Sequence, residues 1–243
     1  MTEPSILMLI LVTFLLAGTV KGVIGLGLPS VSLAILAVAI DLPSAMALLI
    51  VPTLVTNLWQ GMVGGHGREI VGRLWPFLSL ATLSVWLGAQ ALTRIDHSTL
   101  SSLLGVLLAL YALINLAGVK ISIASARERW LGAVLGLVNG VLMGMTGSCV
   151  VPGVIYLQAI GLSRDILIQS MGMLFSLSTL ALAFALESQN LLSAELGLLS
   201  ALGLPPAIAG MMLGQAIRRR LSAERFRILF FIALFVLGVY III

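Results

Sequence analysis

The chain has 243 residues, of which 60% are hydrophobic and 9% are charged, whereas about a quarter of the residues in a soluble domain are charged. This composition excludes a soluble globular protein, because a chain of this length cannot bury so much apolar surface in its own core. The net charge of +4 does not indicate a nucleic-acid partner, since the basic residues fall in short segments between long uncharged runs. We therefore predict an all-α polytopic membrane protein with no nucleic-acid partner.

Uncharged runs of helix length follow one another along the chain, and about 20 apolar residues suffice for one helical span. The first half is predicted to begin with a helical hairpin, with three spans after it: arms at 5–20 and 28–40, then 45–64, 74–93 and 98–118. The second half repeats this order, with a hairpin in 130–163, then spans at 166–186, 193–217 and 226–243. We predict one membrane domain that consists of a first repeat, 1–119, a cytoplasmic linker, 120–129, and a second repeat, 130–243.

A glycine-rich motif that ends in proline opens each half. The first motif is GVIGLGLP, from Gly22 to Pro29, and the second is GMTGSCVVP, from Gly144 to Pro152. Internal repeats of this kind are common in secondary transporters, and we expect the glycines to break the helix at both motifs. The arms of the first hairpin are short for full spans, so they are either tilted spans or a re-entrant loop that ends at mid-membrane.

Loop charge predicts the orientation of the spans. Arginine and lysine concentrate in the loops 64–73, 119–129 and 217–227, whereas 187–195 contains no basic residue. Because basic loops remain in the cytoplasm, the first three loops are predicted to face the cytoplasm and the fourth to face outward. The chain must then leave segment 130–163 on the side where it entered. The two halves are therefore predicted to be inverted repeats, with both termini outside.

Lys21 lies in an otherwise apolar stretch beside the first glycine motif. The resumed helix after a break carries partial positive charge and free N–H donors at its N-terminus, and an ammonium group in the bilayer costs at least about 2.5–3.5 kcal/mol. We predict that an anionic substrate, held between the two hairpin tips, is the partner of Lys21. The alternative is that Lys21 extends to the membrane interface at a helix end and that the glycines only allow close helix packing.

The paired glycine-rich segments resemble the TauE/SafE family of sulfite exporters and related permeases over the whole chain. The most specific stretch is VKGVIGLGLPSVSLAIL at 20–36, and the second copy departs from the family's triple-glycine pattern at 147–149, which is Gly-Ser-Cys. The resemblance implies transport of a sulfur oxyanion or an organosulfonate such as sulfite or sulfoacetate. It also implies a multi-pass protein of a bacterial inner membrane.

Polar residues in later spans complete the predicted site. Asn57 and Gln60 lie one turn apart in the span after the first hairpin, so both are predicted to face one cavity. Gln169 and Ser170 occupy the matching span of the second half, and Asn139 precedes the second break, roughly opposite the lysine. Hydrogen bonds between helices are the alternative role for these side chains. The predicted substrate-binding residues are Lys21, Gly22, Gly25, Gly27, Pro29, Asn57, Gln60, Asn139, Gly144, Gly147, Ser148, Cys149, Gln169 and Ser170.

Catalytic and metal chemistry is not indicated by the sequence. Two histidines are too few for a metal relay, Cys149 is the single cysteine, and there is no Walker A motif and no Ser–His or Cys–His set. For Cys149 we favour a packing role over contact with a sulfur anion. We predict no enzyme, no cofactor and no metal.

The predicted function is a secondary transporter, or permease, that moves a small anion by alternating access. The alternatives are a permease for a metal cation or another small solute, and a membrane assembly factor without transport. The expected partners are the small anionic substrate, the lipid bilayer and a coupling ion, for which the proton is one candidate. A homodimer is one candidate assembly.

Overall fold

The computed structural model describes residues 4–119, 121–218 and 223–243, which form helices joined by short turns. Within these residues eight segments are long and apolar enough to cross a membrane, and two shorter apolar helices lie between them. The predicted all-α, multi-span fold is confirmed. Lys120, Arg219 and Arg220, on which part of the loop-charge prediction depends, lie outside the described residues.

The first half contains seven helices: α1 Pro4–Ile24, α2 Leu28–Ala39, α3 Leu42–Leu48, α4 Ile50–Met62, α5 Gly67–Leu83, α6 Val85–Ala89 and α7 His97–Leu116. The segments α3 and α4 form one span, Leu42–Met62, and α5, α6 and a turn of 3-10 helix form another, Gly67–Thr93. The Asp41 carboxylate accepts a hydrogen bond from the Ser44 N–H at 2.9 Å and so caps α3. This cap fixes the start of α3 directly after the extended residue Ile40, where α2 has ended.

The second half contains α8 Ser125–Thr146, a π-helical turn Val150–Val154, α9 Ile155–Ala159, α10 Arg164–Ser188, α11 Ala194–Leu202, α12 Leu204–Arg218 and α13 Ala223–Ile242. The helices α11 and α12 form one span, Ala194–Arg218. Because α8 begins at Ser125, five residues at the end of the predicted 120–129 linker are helical. Glu128 lies in the first turn of α8, where a negative charge stabilises the helix N-terminus.

Each hairpin joins a long arm to a short one. The long arms, α1 and α8, have 21 and 22 residues, which is enough for about 30 Å at a rise of 1.5 Å per residue. The short arm α2 has 12 residues, or about 18 Å, and therefore cannot cross a hydrocarbon core of about 30 Å. The first arm is longer than the predicted 5–20, since α1 continues past Lys21 to Ile24.

The two halves exchange packing partners. Helix α1 packs along α12, whereas α8 packs along α5 and α6. The long arm of each hairpin therefore packs against the second span that follows the hairpin of the other half. The corresponding helices α4 and α10 pack against each other, as do α7 and α13. The spans Leu42–Met62 and Arg164–Ser188 are the most buried, since 67% and 56% of the residues in their apolar stretches are buried. These two spans form the centre of the bundle. The inversion, the sides of the loops and the repeat boundaries remain predictions.

Candidate functional site

Lys21 lies in the last turn of α1 and is buried, with 3% of its surface exposed. Its Nζ donates a hydrogen bond to Thr56 Oγ1 at 3.0 Å and another to Asn57 Oδ1, so the side chain joins the first hairpin to α4. The Thr56 hydroxyl donates in turn to the Pro52 carbonyl at 2.7 Å, which leaves its oxygen free to accept from the ammonium group. The ammonium group is therefore buried inside the protein, whereas the interfacial alternative requires it to be exposed at a helix end.

The positive charge of Lys21 has only neutral partners. Thr56 and Asn57 carry no charge, and none of the ion pairs among the described residues involves Lys21. The Asn57 Nδ2 is buried and has no hydrogen-bond partner among the residues that the structure describes. Buried charges in proteins are normally paired with an opposite charge, and buried amides are normally hydrogen-bonded. The Lys21 cluster, which we define as Lys21, Thr56 and Asn57, thus has unused capacity to bind a negatively charged oxygen.

The break between α1 and α2 lies directly after this cluster. Gly25 and Gly27 have φ angles of 88° and 107°, in the left-handed region where residues other than glycine are strained. Helix α2 then starts with Pro29 in its first turn, as predicted, since proline needs no hydrogen bond there. A Cβ atom at Gly25 would meet no heavy atom within 4 Å, and Gly25 is partly exposed. The tip of the first hairpin therefore borders open space.

The predicted site residues Gly22 and Gly144 lie at contacts between helices. A Cβ atom on Gly22 would overlap the backbone of Met211 in α12, and one on Gly144 would overlap the backbone of Val85 in α6. Close approach of two helix backbones requires glycine at such positions. The close-packing role considered for the glycines thus fits these two, whereas Gly25 and Gly27 are the residues that break the helix.

The tip of the second hairpin is buried. Helix α8 ends at Thr146, and Gly147 follows with a φ of 73° and packs against Met46 and Leu33. Ser148 and Cys149 are 2% and 4% exposed. The α8 helix therefore breaks three residues after Gly144, at the second glycine of the motif.

Asn139 connects the two arms of this hairpin. Its Oδ1 accepts a hydrogen bond from the Gly153 N–H at 2.9 Å, and its Nδ2 has no partner. When Gly22 and Gly25 are placed opposite Gly144 and Gly147, the residue opposite Lys21 is Met143. Asn139 therefore lies one helical turn before the position that corresponds to Lys21.

Gln60 and Gln169 join α4 to α10, and the hydrogen bonds described for them do not include Lys21. The Gln60 Nε2 donates to the Ile168 carbonyl at 2.8 Å, and the Gln169 Nε2 donates to the Gly61 carbonyl at 2.9 Å. Both amides therefore form the interhelical hydrogen bonds that were the alternative role. Ser170 is fully buried, and its Oγ has no hydrogen-bond partner.

Comparison with protein families decides which family the fold belongs to. A sequence model of the family described as Sulfite exporter TauE/SafE matches residues 10–241, which is nearly the whole chain. The chain belongs to the TauE/SafE family. As a member of this family of membrane transporters it is a multi-pass membrane protein, in agreement with its eight span-length segments. No curated protein and no solved structure matches the chain.

Two features of this TauE/SafE chain were not identified from its sequence. Thr56 binds Lys21, although a threonine in an apolar helix carries no specific signal. Arg73 forms a bidentate ion pair with Glu128, from Nε to Oε1 at 2.7 Å and from Nη2 to Oε2 at 2.9 Å. The Arg73 Nη2 also donates to the Ile160 carbonyl at 3.0 Å. Through these contacts Arg73 joins α5 to both ends of the second hairpin, and the Tyr156 hydroxyl links the two arms further by donating to the Glu128 backbone carbonyl at 3.1 Å.

Proposed function

We propose that this TauE/SafE protein is a secondary transporter that moves a small anion by alternating access, with the Lys21 cluster as its principal binding site. The substrate class is a sulfur oxyanion or an organosulfonate, such as sulfite or sulfoacetate. The observation that carries the proposal is the burial of the Lys21 ammonium group among neutral partners. A bound anion supplies the negative charge that neither Thr56 nor Asn57 provides to Lys21.

The surroundings of Lys21 favour an anion over a cation. The ammonium group has two neutral acceptors, and Asn57 offers an unused N–H donor on the same side of α4. The N-terminus of α2 follows a break of three residues, 25–27, and its backbone N–H groups add partial positive charge. A metal cation would meet electrostatic repulsion at this position, which argues against the cation permease.

We also propose an orientation of the protein in the membrane. The basic loops face the cytoplasm, both termini lie outside, and the membrane is the inner membrane of a bacterium. The two halves are inverted repeats, and a coupling ion, for which a proton is one candidate, drives transport. The exchange of packing partners between the halves supports the repeat, because a two-fold relation would produce this exchange.

The first experiment is a thermal unfolding measurement of the purified protein with separate ligands: sulfite, sulfate, thiosulfate, sulfoacetate, simple carboxylates, nickel and cobalt. A ligand present at 100 times its Kd adds about 2.7 kcal/mol to the free energy of unfolding. We expect saturable stabilisation by a sulfur anion in the wild type and in Thr13→Val, a control in α1. We expect none in Lys21→Met.

Two results would contradict the proposal. Stabilisation by nickel or cobalt alone would favour the cation permease. Equal stabilisation by the anion in the wild type and in Lys21→Met would remove Lys21 from the site. Uptake of the stabilising anion into proteoliposomes then separates a transporter from an assembly factor, since only the transporter moves the anion across the bilayer.

A further inference from the structure

A second group of buried polar side chains lies at the second hairpin. The Cys149 thiol lies beside the side chains of Asn139 and Ser178. Asn139 and Ser178 have no exposed surface, and Cys149 is 4% exposed. We call these three residues the donor cluster, because each can donate a hydrogen bond and none carries a fixed charge.

Among the described residues, two donors of this cluster have no acceptor other than the neighbouring Cys149 sulfur, which is a weak one. The Oδ1 of Asn139 accepts from the Gly153 N–H, and this bond turns the Nδ2 away from Gly153. The Asn139 Nδ2 and the Ser178 Oγ are both buried without a hydrogen-bond partner. An amide nitrogen can only donate, so the missing group is a hydrogen-bond acceptor. Unpaired buried polar groups are rare in native structures, and here two of them adjoin the same thiol, which makes this cluster a candidate for a ligand.

The donor cluster occupies the same place in the second half as the Lys21 cluster does in the first. When Gly22 is placed opposite Gly144, Ser178 falls opposite Thr56, which is the hydroxyl that binds Lys21. Thr56 lies on α4 and Ser178 on α10, the two helices that pack together at the centre of the bundle. Each half thus places a hydroxyl of its central helix beside its own hairpin.

The two hairpin tips differ in exposure. Residues 24–26 of the first tip are partly exposed, whereas the corresponding residues 146–148 of the second tip are buried. The first tip borders open space at Gly25, and the second is closed by Met46 and Leu33 at Gly147. The Lys21 cluster therefore lies beside the more open tip and the donor cluster beside the closed one.

We propose that the donor cluster is a second, uncharged subsite for the transported oxyanion, closed in this structure. The inference rests on the proposed function of the Lys21 cluster. The anion's oxygens accept hydrogen bonds from the Asn139 amide and the Ser178 hydroxyl, with the Cys149 thiol as a weak third donor. Because the subsite lacks a fixed positive charge, it holds the anion less tightly than the Lys21 cluster does. Such a site fits a position from which the anion is released after the second tip opens.

The test compares Ser178→Ala with Ser176→Ala, two buried serines of α10 that differ in their hydrogen bonds. The Ser176 hydroxyl already donates to the Gly172 carbonyl at 2.7 Å, whereas the Ser178 hydroxyl has no partner. Binding of sulfite, thiosulfate and sulfoacetate is measured separately by thermal unfolding, and uptake of the same anions is measured in proteoliposomes. We expect Ser178→Ala to bind the anion within about twofold of the wild type and to transport it about tenfold more slowly, since one hydrogen bond to an anion corresponds to about this factor.

The ligand-free melting temperature distinguishes a binding role from a packing role. Loss of an unpaired hydroxyl should leave the Tm of Ser178→Ala unchanged or raise it, whereas a packing role predicts a lower Tm. Asn139→Asp, which retains the acceptor for Gly153 and replaces the donor, should abolish uptake. Equal uptake by Ser178→Ala and Ser176→Ala would show that the Ser178 hydroxyl does not contact the transported anion, and would overturn the proposal. A wild type that binds none of the anions would overturn the proposed function and this subsite together. Slow uptake by Ser178→Ala with intact anion binding would instead support the subsite separately from the Lys21 site.

Discussion

Replacing Lys21 with methionine should make the ligand-free protein more stable. Methionine has a similar length and no charge, so the substitution removes a buried ammonium group that costs about 2.5–3.5 kcal/mol in a bilayer. It also removes the hydrogen bonds to Thr56 and Asn57, worth about 0.6 kcal/mol each between membrane helices, and leaves the Asn57 Oδ1 unpaired at a cost of about 1 kcal/mol. The net expectation is a gain of about 1 kcal/mol in the free energy of unfolding.

Thermal unfolding of the purified protein without anions measures this gain. For a chain of this size 1 kcal/mol corresponds to a rise of about 2–4 °C in Tm. Lys21→Arg retains the charge and should not show the rise. Thr13→Val is the matched control in α1: the Thr13 hydroxyl is buried like Lys21 but has no hydrogen-bond partner among the described residues, so its removal should stabilise the protein while anion binding persists. A fall in the Tm of Lys21→Met with intact anion binding would refute the reasoning, because it would make Lys21 a structural residue.

Three further substitutions test other parts of the structure. Glu128→Gln should lower the free energy of unfolding by about 2 kcal/mol, because it leaves the Arg73 guanidinium without its carboxylate. The loss is smaller than for a fully buried pair, because the Arg73 side chain is 37% exposed and water partly solvates its charge. Gly18→Ala should lower the Tm by several degrees, about 1–3 kcal/mol of overpacking, because the added Cβ would overlap the Ala207 carbonyl of α12. Leu26→Cys should react with a water-soluble maleimide, since the tip of the first hairpin is partly exposed.

Each of these experiments has a control within the chain. Exchanging Arg73 and Glu128 should restore part of the lost stability, and no recovery would show that the loss is not due to the ion pair. Gly197→Ala introduces a Cβ that meets no heavy atom within 4 Å, so a Tm drop equal to that of Gly18→Ala would contradict the packing argument. Ser148→Cys lies at the buried tip and should react slowly; both cysteine variants are made with Cys149→Ser, and equal labelling would contradict the difference between the tips.

The hydrophobic runs were sufficient to predict the fold, because each span must carry its own length of apolar residues. The long segments, the two breaks and the proline at the start of α2 follow from composition and from the special φ angles of glycine. The boundaries were less certain at charged ends. Glu128 was assigned to a linker by its charge, yet its pairing with Arg73 lets α8 begin earlier.

The candidate site was only partly predictable. Lys21 was visible because a charge in an apolar run has few structural uses. Its neighbour Thr56 was not, since threonine within a membrane helix often bonds only to its own backbone. Helical spacing placed Asn57 and Gln60 on similar faces, but it could not distinguish the side that meets α1 from the side that meets α10. The structure assigns Asn57 to the first and Gln60 to the second.

The exchange of partners between the halves has a consequence for biosynthesis. The glycine face of α1 packs on α12, a helix that the ribosome produces only after the whole first half and the second hairpin. Until then Gly18 and Gly22 have no helix to contact, and the first half inserts into the bilayer with its lysine-bearing hairpin incompletely packed. Neither half is therefore expected to be a self-sufficient folding unit. The seam between α1 and α12 closes only after α12 has inserted.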